Sequence, residues 1–410
     1  MRLWRRLGVA CALLLASVPA WAGDPVLAWN QQTNLAIQAT LTDPFNAARA
    51  LAMESIAVLD TVKAIAGEQG FLVHVAAPSG LDPAVAAAAG EHAMLVRLFP
   101  SRRAVLDAAL ATSLAGLPPG ENRAGALALG AMIAEAVFTR RAGDGAQGIA
   151  AVGTENAAGD WRATPPGFLR PLHPHWAILT PFAMRAPNQF RPPGLGTTAF
   201  ERSVRSVAEL GAAQSRSRTA EQTEIAHYWS DAIGTYAPAG HWNAIAGSLM
   251  ARRQIGLMAE AELFAELNVA MADACIAMAD AKYTFRFWRP ITAIRVGTPG
   301  MAAIPDWLPL LETPNHPGYI SGHSSFSGAA ALVLIAWLGD REFDFGSESL
   351  PGVTRHFASF TAAAQEAAMS RLYGGIHFEF ENADGLATGR AVGAWTLGAF
   401  KGVALRRPGG

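Results

Sequence analysis

Apolar residues recur at three-to-four spacing along most of this 410-residue chain, the periodicity of an α-helix with one buried face. PFNAARALAMESIAVLDTVKAIAG, DPAVAAAAGEHAMLVRLF, SRRAVLDAALATSLAGL and NRAGALALGAMIAEAVF follow it in the first part of the chain. TAEQTEIAHYWSDAIG, MARRQIGLMAEAELFAELNVAMADACIAMADAKYTF, SFSGAAALVLIAWLG and ADGLATGRAVGAWTLGAF follow it later. Pro44 and Pro83 suit first-turn positions, with Asp43 and Asp82 before them as N-caps. Long alternating β-branched runs are absent, and no internal repeat is apparent. The expected fold class is therefore all-α with few or no strands, and the many Ala and Gly residues favour closely approaching helices.

The pattern breaks between about residues 143 and 198. This stretch is rich in Pro and Gly but carries Trp161, Phe168, Trp176 and Phe182. Disordered linkers are poor in aromatics, so the stretch reads as an ordered arm wrapped over the helices. The expected organisation is an N-terminal helical region over 23–200, including the arm at 143–198, and a C-terminal helical core over 201–410.

Residues 1–22 read differently. Arg2, Arg5 and Arg6 precede the short apolar run GVACALLLASVPA, and Ala20-Trp21-Ala22 is a small-x-small cleavage site. That is a secretory signal peptide, with an apolar run too short to span a bilayer, so a periplasmic or secreted protein with no stable membrane span is expected. Losing three arginines makes the formal charge of −1 more negative by three, which leaves no electrostatic footprint for nucleic acid. Only Cys275 then remains. No intrachain disulfide is available, and Cys275 reads as a buried thiol packing as a small hydrophobe.

Three stretches in the C-terminal half carry polar groups that an apolar bundle would not keep for packing. In KYTFRFWRP, Lys282 and Arg289 lie two helical turns apart and share one face if the helix continues that far, although Pro290 disfavours helical conformation at Arg289. A solvated face, with Asp280 pairing Lys282, is the plain alternative. In TPNHPGYISGHSSFSGAAALVLIAWLG, Ser321-Gly322-His323 stands at the start of an apolar helix, where free N–H groups make an anion site; a simple cap is the alternative. In SRLYGGIHFEFENADG, Arg371 and His377 straddle Gly374-Gly375, which alone would be a glycine turn. Together these stretches supply three permanent cations, a hydroxyl, an N–H and two imidazoles. That set cradles a tetrahedral oxyanion: Arg forks grip its oxygens and Lys adds a point charge. One histidine can bond the central atom while the other moves a proton.

The order Lys-x6-Arg-Pro, Ser-Gly-His, Ser-Arg-x5-His resembles the vanadium-dependent haloperoxidases and the type 2 phosphatidic acid phosphatase superfamily to which they belong. VLAWNQQTNLAI, ARALAMESIAVLDTVKAI, GDWRATPP, HPHWAILTPF and TAEQTEIAHYWS are similar to the bacterial haloperoxidase-type branch, so the resemblance covers nearly the whole mature chain. It implies two four-helix bundles with the site in the C-terminal half. It also implies vanadate as cofactor, its oxygens held by Lys282, Arg289, Arg371, Ser321 and the Gly322 N–H. His377 would be the metal ligand and His323 the acid-base residue. Where the family motif has Pro before Ser-Gly-His, this chain has Ile320, which is expected to loosen the turn; Glu381 stands where an Asp is common, and Ala279 where some relatives carry an aromatic. His316, at the expected mouth of the site, occupies a position that tends to be histidine in bromide-oxidising members.

The resemblance thus implies hydrogen peroxide, halide and a small organic acceptor as reaction partners, with bromide and iodide favoured. Because phosphate and vanadate share shape and charge, an exported acid phosphatase acting on phosphate esters through a phosphohistidine at His377 remains open. A non-catalytic oxyanion-binding protein would not need both histidines.

Overall fold

The computed structural model describes residues 24–402 except 118–119, 121, 154–156, 195–196 and 254; the signal-peptide expectation therefore lies outside the described residues. Thirteen α-helices and one two-stranded hairpin make up the regular structure among those residues, together with two short 3-10 turns. The helices are α1 (Pro25–Ala39), α2 (Pro44–Ala66), α3 (Pro83–Leu98), α4 (Arg103–Ala115), α5 (Arg123–Arg141), α6 (Thr197–Leu210), α7 (Ala220–Tyr228), α8 (Ala237–Met250), α9 (Leu257–Phe285), α10 (Pro290–Val296), α11 (Gly322–Leu338), α12 (Phe360–Tyr373) and α13 (Glu379–Phe400). Strands β1 (Phe343–Gly346) and β2 (Thr354–Phe357) pair antiparallel between α11 and α12. Asp43 and Asp82 cap α2 and α3 by accepting backbone N–H groups, with Pro44 and Pro83 in the first turns.

Helix α9 is the axis of the molecule. Its 29 residues are buried almost continuously from Glu260 to Lys282, because it packs on α2 on one side and on α11 and α13 on the other. A helix that is apolar all round belongs in the middle of a large core. Described residues of the arm pack against the helices. Buried Asp273 of α9 accepts the backbone N–H groups of Phe182, Ala183 and Met184 at 2.7, 2.8 and 2.7 Å. Trp176 and Leu179 are buried in the main core, and the Arg141 side chain donates to the carbonyls of Thr180 and Pro181.

Helices α11 and α13 approach closely. A Cβ on Gly389 would stand 2.1 Å from the Ser325 carbonyl oxygen, and one on Gly385 2.7 Å from that of Ser321. Glycine lets the two backbones meet, and so the start of α11 is fixed against the segment that opens α13.

The Gly374-Gly375 turn also needs its glycines, for a reason the sequence did not suggest. Gly375 sits at φ +76, and a Cβ there would lie 2.3 Å from the Gly211 carbonyl oxygen. The close approach is to the chain after α6, and the turn reaches the site only by aiming His377. Gly375→Ala is expected to destabilise the protein by about 2–4 kcal/mol, from left-handed strain plus overpacking. A thermal midpoint within a degree of wild type would contradict this.

Candidate active site

The conditional helical face carrying both Lys282 and Arg289 does not form. Helix α9 ends at Phe285, Arg286 turns left-handed at φ 46, and Arg289 begins α10 as its N-cap in extended conformation. The break turns Arg289 back toward Lys282. Asp280 does not pair Lys282; it takes the Arg191 fork at 2.7 and 2.5 Å. Lys282 is fully buried and donates to the carbonyls of Pro317 and Gly318, each at 2.7 Å. Arg289, also fully buried, donates to the carbonyls of His316 and Ile376 and to one nitrogen of each of two histidines.

Those contacts fix both rings. A guanidinium only donates, so His377 Nε2, 3.0 Å from Arg289 Nη1, must accept. Its Nδ1–H then donates to Glu381 Oε2 at 2.6 Å, and the Phe378 N–H steadies the same oxygen at 3.0 Å. His377 is thus a neutral ring whose Nε2 lone pair faces the Arg289 guanidinium. Burial, and then Arg289 and Lys282, hold its pKa well below the ordinary value. Burial pushes the Glu381 carboxyl up to about 7 although Arg289 and Lys282 oppose it. His316 Nδ1 accepts from Arg289 Nη2 at 2.9 Å. The Pro317 carbonyl, 3.2 Å from the same nitrogen, favours a protonated ring, but burial, Lys282 and Arg289 outweigh it and push the pKa well down.

Ser321 caps α11 by position only. Its hydroxyl accepts from Ser324 Oγ at 2.9 Å and makes no side-chain cap. The turn before it is not loose: Tyr319 and Ile320 are fully buried, Tyr319 Oη donates to Asp384, and the Ser321 N–H donates to the Glu381 carbonyl at 3.0 Å. The expected loosening by Ile320 is therefore absent, because packing against α13 holds what Pro would have preset. Gly322 and His323 open α11, whose first N–H groups have no intrahelical acceptors.

Arg371, in the last turn of α12, is buried and bonds Ser370 Oγ and the carbonyl of Trp229. Burial lowers its pKa to about 10, as it does that of Arg289. His323 Nε2 lies 3.5 Å from Asp231 Oδ2, inside ion-pair range, yet makes no hydrogen bond. Burial and then Arg371 bring its pKa down to about 4, so it is neutral near pH 7. Asp231 is itself held through Oδ1 by His241 Nδ1 and Ser349 Oγ, both at 2.9 Å.

His316, Gly322, His323, Arg371 and His377 share one cavity of about 390 Å³; Arg289 bonds its His316 and His377, and Lys282, Arg289 and Ser321 are fully buried and do not line it. All eight residues singled out in the sequence are brought together. The cavity is not confined to the C-terminal half, however. Phe45 of α2 and arm residues Thr164–Gly167, Leu169 and Leu172 wall it, and Phe45 meets the His316 ring edge-on at 5.8 Å. Asp231 and Phe45 were not foreseen. Asp231 lies in TAEQTEIAHYWSDAIG, a stretch read only for its helical periodicity, and nothing local marks its carboxylate as facing His323.

Three cations are buried around one cavity against the carboxylates of Asp231 and Glu381, with helix N–H groups and an unpartnered His323 nitrogen beside them. Buried like charges are tolerable only with an anion among them. These residues fit an oxyanion with a central atom that accepts a nitrogen ligand. A family model of the VCPO second helical-bundle domain matches residues 262–404, the segment that supplies Lys282, Arg289, the Ser-Gly-His turn, Arg371 and His377. The structure superposes on the first bacterial vanadium-dependent iodoperoxidase with a TM-score of 0.79 and 26% identity, covering 92% of this chain and 95% of that one. In fold and in the segment that carries the cradle, the chain is similar to vanadium-dependent haloperoxidases. Vanadium chloroperoxidase of Curvularia inaequalis is 28% identical over 261 residues, which is 47% of this chain and 42% of that relative's length. A holo-type bacterial vanadium-dependent chloroperoxidase shares the fold at a TM-score of 0.68 and 18% identity, covering 94% of each chain. Among haloperoxidase-type folds this chain thus shares the helical scaffold over nearly its whole length.

Proposed function

We propose that this protein is a vanadate-dependent haloperoxidase that uses hydrogen peroxide to oxidise bromide and iodide in preference to chloride. The observation that carries the reading is His377: a neutral ring, oriented by Glu381, whose Nε2 lone pair stands among Lys282, Arg289 and Arg371. A plain anion binder has no use for a nitrogen ligand so placed. Vanadate, when bound, supplies a Lewis-acidic centre for peroxide with no change in its oxidation state.

The residues divide the work. Lys282, Arg289, Arg371, Ser321 and the Gly322 N–H would hold the oxyanion's oxygens, and His377 Nε2 would be the metal ligand. His323, neutral at working pH, would take and return a proton at the bound oxyanion, with the Asp231 carboxylate 3.5 Å from its Nε2. The deciding experiment is bromide and peroxide turnover with and without added vanadate, beside phosphate-ester hydrolysis by the same sample. Vanadate-dependent halide oxidation is expected; phosphatase turnover without it would overturn the assignment.

Halide choice is assigned to His316. Its ring is held by Arg289 and Phe45, so it biases the charge that the cradle offers the anion. Chloride, the hardest of the three to oxidise, is the most sensitive to such a change. The name of the iodoperoxidase neighbour points the same way. Wild type is expected to oxidise iodide and bromide with little activity on chloride, and His316→Phe to change the ratio. A wild-type preference for chloride, or a ratio indifferent to the substitution, would remove His316 from this role.

The reading includes export to the periplasm or medium through residues 1–22. Cell fractionation, with N-terminal sequencing of the exported form, tests it.

A further inference from the structure

A second cavity, of about 240 Å³, shares no described wall residue with the first. Its walls come from α1, α8 and the chain around β1, and they include Asn30, Gln31, Tyr236, His241 and Glu348. His241 joins the two cavities. Its ring is buried and stacks on Trp229, with centroids 4.5 Å apart and planes 19° from parallel. Its Nδ1 lies 2.9 Å from Oδ1 of Asp231, which lines the first cavity.

The bond fixes the tautomer. Burial alone would raise the Asp231 pKa, but His241 and then His323 hold it well below the ordinary range. An ionised carboxylate only accepts, so His241 Nδ1 carries the hydrogen. The other nitrogen, Nε2, is buried without a hydrogen-bond partner, on a residue that lines the second cavity.

One carboxylate thus meets two imidazoles. Ser349 Oγ joins His241 on Oδ1 at 2.9 Å, and Oδ2 is left to His323 Nε2 at 3.5 Å. Asp231 lies between α7 and α8 in no regular element, with a left-handed backbone at φ 44 that non-glycine residues seldom adopt. Its side chain is therefore aimed by these bonds and not by a helix or strand.

We infer that His241 is a positioning residue for His323: it fixes the Asp231 carboxylate against that ring and sets, from the second cavity, how much of the charge the ring receives. The inference rests on the haloperoxidase reading for the role of His323. A proton taken from solvent at Nε2 makes His241 an imidazolium, which draws the carboxylate charge toward itself, so that His323 gives up its own proton more readily. The other titratable groups bearing on His241 are Tyr228 of α7, Tyr236 before α8, Glu348 after β1 and His323 of α11, while Arg371 of α12 acts on Asp231.

Three variants test this. His241→Phe keeps a ring to stack on Trp229 and removes both nitrogens. His241→Asn keeps a donor near the place of Nδ1, whereas the longer His241→Gln places its amide near that of Nε2. Bromide turnover should fall about tenfold or more in His241→Phe and His241→Gln, the usual cost of losing an orienting group, and His241→Asn should recover most of it. Vanadate affinity and the KM for bromide should hold in all three, since no cradle residue bonds His241. Proton NMR of the vanadate-free protein, with His323→Ala to assign the signal, should show His323 titrating at higher pH in His241→Phe and His241→Gln than in wild type. An unchanged His323 titration, or equal turnover in His241→Asn and His241→Gln, overturns the inference whether or not His241→Phe folds. A wild-type sample without any halide oxidation would sink the haloperoxidase reading, and the NMR comparison would still decide the coupling.

Discussion

His377→Ala is expected to leave a protein that folds but neither holds vanadate nor turns over. Replacing groups that merely orient a metal ligand costs about 10–100-fold in affinity, so loss of the ligand itself should cost at least about 100-fold. The substitution also removes the partner of Glu381 in a buried site. A stability loss of about 1–3 kcal/mol is expected from that unpaired acceptor, and the Phe378 N–H that remains on Glu381 should keep the loss in this range. Two measurements separate ligand loss from misfolding: vanadium NMR of binding, and rescue by free imidazole in a protein whose circular dichroism is unchanged. Wild-type vanadate affinity in the variant would remove His377 from the centre of the site.

His323→Ala is expected to separate binding from turnover. In the acid-base role proposed for it, its loss should cost on the order of 10²–10⁴ in rate. Oxyanion binding should survive, because Lys282, Arg289 and Arg371 are held by carbonyls and by His316 and His377, with no bond to His323. The pH profile gives a second readout. The ring's pKa is lowered to about 4 in the anion-free site, so the free enzyme should hold a neutral His323 from there upward, and the acid limb that its protonation causes should vanish in the variant. Vanadate binding lost as completely as in His377→Ala would refute this division of labour.

Much of the site was legible because its chemistry is rare in a helical core. Lys282, Arg289 and Arg371 are permanent cations in apolar surroundings, and such residues stay buried only with a counter-charge or ligand. Glu381 was marked only by resemblance, as standing where an Asp is common four residues after the histidine, and the structure brings it to 2.6 Å from His377. The roles of these residues came from resemblance; the geometry supplies the tautomers that make the roles physically coherent.

The sequence by itself determined eight of the thirteen described helices, the caps of α2 and α3, and the identity of the cradle residues. Periodicity, capping and proline effects are local, acting within a few residues of each other. Only the tertiary structure decided the rest. The break at Arg286 that aims Arg289, the carboxylate of Asp231 facing His323, the contact of Gly375 with Gly211, and the arm and Phe45 closing the cavity are contacts between distant segments. Such contacts leave no periodic trace in the chain, because they depend on which helix faces pack and how closely backbones approach. The binding of Asp273 to the arm, across a separation of 91 residues, is of this kind. So is the placing of Ser321 against Glu381, which the glycine-lined contact between α11 and α13 allows and which no local pattern could have specified.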